Sequence, residues 1–128
     1  TRIIFLHHNY YCWNGHHMMP NRPDQLDEDN PEHQLHYDWR HIEAMKTVPE
    51  DHYFNTHLNR VRLDEIRAIT EKHFDIVTWN EVPSSKPTLA RRTPEILERV
   101  QKTLPDLTAR DLETNVVYCV ARTKRQST

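Results

Sequence analysis

The chain has 128 residues, 36% of them hydrophobic and 28% charged, with a formal net charge of −2. That length accommodates one compact domain with a real core and excludes two ordinary ones, and the near-neutral balance lacks the basic stripe of a nucleic-acid binder. A single glycine, Gly15, stands where average usage of roughly 7% would supply about nine. Every glycine-rich phosphate or dinucleotide loop is thereby excluded, since those need several positions without a Cβ.

The first element in chain order is Ile3 to His7, a short β-branched and aromatic run with no helical period. It predicts a buried strand. Next comes the most unusual stretch of the chain, Asn9 to His17. Here Tyr10, Tyr11, Cys12 and Trp13 surround the one glycine, and the pairs His7-His8 and His16-His17 flank it. From Asn9 to about Pro49, four prolines and many Asp and Asn residues predict a long irregular excursion with a short helix around Trp39 to Met45. Tyr37, Trp39, Tyr53 and Phe54 favour order in this excursion. Acids outnumber bases between Asn21 and Asp51, and the run Asp24 to Asp29 reads as a solvated loop or as a surface for a basic partner.

From Leu63 the pattern turns regular. Leu63, Ile66, Ile69, Thr70 and Phe74 recur at helical spacing, with Asp64 and Glu65 in the first turn, where the helix dipole favours acids. Phe74 to Trp79 predicts a strand ended by Pro83 and the Ser84 to Pro87 loop. Thr93-Pro94-Glu95 is a strong helix start, with Ile96, Leu97, Val100 and Leu104 on one face and Pro105 as the stop. Thr108 and Asp111 form a capping-box pattern. Asn115 to Ala121 predicts a last strand, and the basic end Arg122 to Arg125 reads as solvated. The class is therefore α/β, ordered strand, long insertion, helix, strand, helix, strand. Residues 1–128 form one domain, with an irregular insertion over 9–58 and a helix-strand-helix-strand unit over 59–122.

The pieces Leu58 to Arg67, Phe74 to Trp79, Thr93 to Ile96 and Val116 to Ala121 resemble the carboxyl-terminal portion of class I S-adenosylmethionine-dependent methyltransferases. The resemblance implies a partial Rossmann-like sheet in which Ile3 to His7 is the fifth strand and the very last strand runs antiparallel. Asn9 to His17 would be the loop that shapes the acceptor pocket. In that family a glycine-rich turn and an acidic strand end bind S-adenosylmethionine, and both are absent here. The chain would thus be the back half of such a protein, inactive alone, carrying acceptor-side residues but no cofactor-binding ones.

Those acceptor-side candidates are His7, His8, Tyr11, Trp13, His16 and His17. A neutral imidazole can take a proton near neutral pH, and adjacent residues of a strand face opposite sides, so one histidine of a strand-borne pair would face the pocket. Tyr10, Tyr11 and Trp13 could wall a planar acceptor or a sulfonium, or simply pack in the core. The acceptor would be a small molecule, and no general base is identified.

Two other classes stay open. One is a non-catalytic α/β module that self-associates or binds a partner through its sheet edge. The other is a histidine-dependent metal enzyme, although no His-Glu-x-x-His or Cys-x-x-Cys spacing occurs. Cys12 and Cys119 read as two buried thiols, which with the absence of an apolar span or signal peptide predicts a cytoplasmic protein.

Overall fold

The computed structural model describes residues 1–124. The sequence-predicted basic end therefore falls partly outside the described residues, at Arg125. Three strands form one sheet in the order β1-β3-β2, where β1 is Arg2–His8, β2 is Phe74–Pro83 and β3 is Thr114–Thr123. The last strand lies in the middle and runs antiparallel to both neighbours. β1 and β2 consequently point the same way without touching, and the described sheet contains no parallel pair. The described residues thus form a mixed α/β fold around a small antiparallel sheet, and the last strand runs antiparallel as expected.

Local chemistry accounts for the regular elements. Helix α4 (Leu63–His73) carries Asp64 and Glu65 in its first turn and Lys72 and His73 in its last, both favourable to the dipole. It passes into β2 without a linker. Helix α6 (Pro94–Gln101) starts with Pro94 behind Thr93, whose hydroxyl accepts the Ile96 N–H at 3.3 Å. In α7 (Ala109–Glu113) the Thr108 and Asp111 side chains satisfy each other's backbone N–H groups, the reciprocal box that the sequence indicates. A further helix, α5 (Lys86–Ala90), occupies a stretch the sequence reads as loop; Pro87 is tolerated because it lies in the first turn.

Strand periodicity separates the two faces of the sheet. Val117, Cys119 and Ala121 of β3 are fully buried, and Arg67 of α4 stacks over Trp79, the register partner of Cys119. That face is covered by α4. The opposite face is not. Leu6 pairs with Tyr118 and Ile4 with Val120, yet Ile4 is 65% and Leu6 68% exposed. Ile69 of α4 is also exposed, so the helix buries a narrower stripe than its apolar spacing implies.

The hydrophobic core lies off the end of the sheet. Tyr10, Tyr11, Trp13, Trp39, Ile42, Val100, Leu107 and Leu112 make one buried cluster, joining the segment after β1 to α2 (Arg40–Ala44), α6 and α7. The excursion from Asn9 to residue 58 is thus ordered through single turns of helix, the expected one being α2, with α1 (Pro31–Gln34) and α3 (Tyr53–Thr56) as additions. Asp38 fastens it. This residue accepts from Trp13 Nε1 at 3.0 Å and takes a bidentate pair from Arg91 at 2.5 and 2.7 Å. Glu43 pairs with Arg99, and Glu28 lies 3.8 Å from Arg91. Much of the acidic excess seen in the sequence is answered from within the chain.

Gly15 needs its missing side chain. A Cβ there would collide with the carbonyl oxygens of Tyr10 and Asn9. Because the obstacle is backbone, it cannot swing aside as a flexible side chain could. Gly15→Ala is expected to lower the unfolding free energy by about 3 kcal/mol or more, the upper range for overpacking. Urea denaturation checks this, and an unchanged midpoint would mean the turn is not built as described.

Candidate functional site

The carboxyl end of β1 delivers His7 and His8 to one rim of a cleft of about 300 Å³. Its other walls include His17, Tyr53, His57 and Asn59. Both strand histidines border it, where the sequence predicts only one. Leu6, His7 and His8 all line it, so strand alternation does not assign a single histidine of the pair to the cleft. Tyr53 and His57 stack face to face with ring centres 5.1 Å apart.

Within this site His8 Nδ1 lies 2.6 Å from His17 Nε2, and His8 Nε2 lies 3.2 Å from Asn115 Oδ1. His17 adopts φ 56°, a left-handed conformation uncommon for a residue with a Cβ. Cys12 sits beneath, its Sγ 3.1 Å from Asn14 Oδ1, 3.5 Å from Asn115 Oδ1 and 4.0 Å from His8 Nε2. Burial pushes the Cys12 thiol up to about 12, so the group keeps its hydrogen at neutral pH. Both cysteines are buried and free. Burial and then the neighbouring His17 hold His8 below the ordinary imidazole value, and burial does the same to His7.

The six sequence-predicted residues thus divide. His7, His8 and His17 meet at the cleft. Tyr11, Trp13 and His16 do not reach it: they are buried, and their positions are corrected from pocket wall to core. Tyr11 donates from its hydroxyl to the Arg60 carbonyl at 2.8 Å, and Trp13 is held by Asp38. Of the Tyr10, Tyr11 and Trp13 set, Tyr10 alone borders the cleft, and it is almost fully buried. Sequence reasoning misses Asn115, Tyr53 and His57. Asn115 has a usable signal only with the register in hand, because His8 opposes Val116 and the preceding residue must then lie at the strand end.

A second group of histidines fills the interior. His16 packs its ring against His36 at 4.1 Å and His41 at 5.3 Å between centres. Each uses one nitrogen. His16 Nδ1 accepts the Met18 N–H at 2.9 Å, while His36 Nε2 donates to Met19 and His41 Nε2 donates to Tyr10 carbonyl oxygen. The remaining nitrogens, His16 Nε2, His36 Nδ1 and His41 Nδ1, are buried without partners. Among the described residues no group of three or more His, Cys, Asp or Glu is placed to hold a metal ion, and no helix is long and apolar enough to cross a membrane. No family model, curated protein or solved structure matches the chain.

Burial lowers His41 to about 4 and also lowers His16 and His36, in each case as the main cause. Unfolded, the three would titrate near 6.5, so below that pH the unfolded chain binds more protons than the folded one. Their stabilisation is complete above pH 6.5 and is lost as the pH falls, for His41 over the interval down to about 4. The urea midpoint is expected to drop steeply between pH 7 and pH 5. A flat profile over that interval would show that these rings are charged or exposed in the folded protein.

Proposed function

We propose that the chain is the acceptor-side, carboxyl-terminal portion of a methyltransferase-like protein that moves a methyl group from S-adenosylmethionine to a small acceptor. The observation that carries this reading is the reversed last strand, inserted between two strands that run alike, which suits the ending implied by the sequence resemblance. On this reading, further parallel strands add along the free edge of β1. Helices packed beside them cover Ile4, Leu6 and Tyr118, which are exposed in this chain. The donor site belongs to that other part, because one glycine, committed to a tight backbone contact, leaves nothing for a nucleotide loop. Catalysis on this side of the site would be positioning of the acceptor for in-line attack.

The test begins with the coding sequence upstream of Thr1, read in frame. A glycine-rich turn after a strand, followed by an acidic strand end, is the expected find. The longer polypeptide should then bind S-adenosylmethionine by isothermal titration calorimetry, whereas residues 1–128 alone should not. A longer polypeptide with neither the turn nor measurable binding would remove the methyltransferase reading.

The exposed Ile4 and Leu6 beside an open strand edge favour a second reading, a non-catalytic module that pairs with another copy of itself. It predicts a monodisperse oligomer by light scattering that dissociates in Leu6→Glu. A wild-type monomer would count against it.

A further inference from the structure

We propose that Asn115, His8 and His17 form a hydrogen-bonded relay that presents the Nδ1 lone pair of His17 as a proton acceptor at the cleft beyond β1. The direction of each hydrogen follows from the end that has no choice. An amide oxygen only accepts, so Asn115 Oδ1 at 3.2 Å requires the hydrogen of His8 on Nε2. His8 Nδ1 is then a lone pair, and the 2.6 Å contact requires His17 to carry its hydrogen on Nε2. Neutral His17 is left with a bare Nδ1 on an exposed ring that borders the cleft.

Three features make this a built arrangement. Asn115 is fixed by its own backbone carbonyl, which accepts the Asn9 N–H at 3.0 Å. His17 is held against His8 by a left-handed backbone conformation that its neighbours must impose. Gly15, two residues earlier, allows the turn to close on Asn9 and Tyr10. The titratable groups around the pair are His7 on β1, Tyr10, Tyr53 and His57 along the cleft, Cys12 beneath His8, and His16 behind, within electrostatic reach of both rings. No carboxylate lines the cleft, so the relay is neutral at rest and becomes a cation only when it takes up a proton.

The substrate class follows from that chemistry: a small molecule with a weakly acidic O–H or N–H. In the step, the X–H bond breaks, its electron pair stays on X, and the proton adds to His17 Nδ1. The imidazolium keeps its Nε2–H on His8, whose own Nε2–H remains on Asn115. His17 is the catalytic group; His8 and Asn115 are positioning residues. The proposal draws on the acceptor-side reading only for the fate of X after deprotonation, and the relay itself does not depend on it.

Long-range proton–nitrogen correlation spectra of the 15N-labelled 128-residue chain test it without any substrate. Above the titration of both rings, His8 and His17 should each appear as the single Nε2–H form. On acidification His17 should gain its proton at Nδ1 while Nε2 stays protonated. Asn115→Leu, with amide dispersion showing that the chain remains folded, should convert His8, and with it His17, to mixed tautomers. Wild-type His17 in the Nδ1–H form, or a His8 tautomer indifferent to Asn115→Leu, would overturn the relay. The wild-type spectrum decides the matter even if the variant fails to fold. Failure to bind S-adenosylmethionine in the longer polypeptide, with these tautomers intact, would remove methyl transfer and leave the relay standing.

Discussion

The close approach of Gly15 to the backbone of Asn9 and Tyr10 is the constraint on which the rest of the structure depends. A chain leaving β1 must reverse within a few residues, and only a position without Cβ lets the returning strand of the turn lie against the outgoing one. Asn9 secures the other side. Its amide donates to the Asp111 and Thr114 carbonyls at 2.6 and 2.7 Å, and its oxygen accepts the Tyr11 N–H at 3.1 Å. The turn is therefore tied to the junction of α7 and β3 through the Asn9 side chain. Once it is closed, Trp13 falls on Asp38, His16 enters the interior, and His17 meets His8.

What the sequence discloses depends on how local the cause is. The helices α4, α6 and α7 are legible because caps, dipole-compatible charges and apolar spacing act within a few residues, and β3 because its apolar run is continuous. The excursion after β1 is opaque for the opposite reason. Its order comes from contacts far apart in sequence: Trp39 Nε1 on the Leu112 carbonyl at 3.2 Å, and the reciprocal pair in which Tyr10 and His41 each donate to the other's backbone oxygen. Asp38 and Trp39 even adopt left-handed conformations without being glycine, which no propensity announces. The lone glycine marks the segment that closes the turn after β1. It could not say which aromatic or histidine ring would turn inward, and so Tyr11, Trp13 and His16 read like site residues when they are core.

The ten histidines consequently belong to different physical settings although they look alike in sequence. His16, His36 and His41 are enclosed, each with one nitrogen satisfied by backbone and one left bare, so their neutrality is a condition of the fold. His8 and His17 share a hydrogen bond at the edge of solvent, where a proton can arrive and leave. The two groups are neighbours, since the charges of His8 and His17 act on His16, but only the second pair stands at the cleft.

Leu6 connects the site to the question of what covers the sheet. Its side chain stands on the exposed face opposite Tyr118 and also lines the cleft. Anything that covers the face of β1 must therefore touch the wall of the cleft, whether it is another part of a longer polypeptide or a second copy of the chain. Full burial of one large apolar side chain contributes roughly 1.5–3 kcal/mol, so covering Leu6 would contribute to such closure. Closure would also draw water away from one side of the His8–His17 pair, where a lower dielectric strengthens hydrogen bonds and penalises an unpaired cation. On either reading the proton acceptor and the open sheet would be one system, because whatever covers Leu6 also borders the cleft at which His8 and His17 meet.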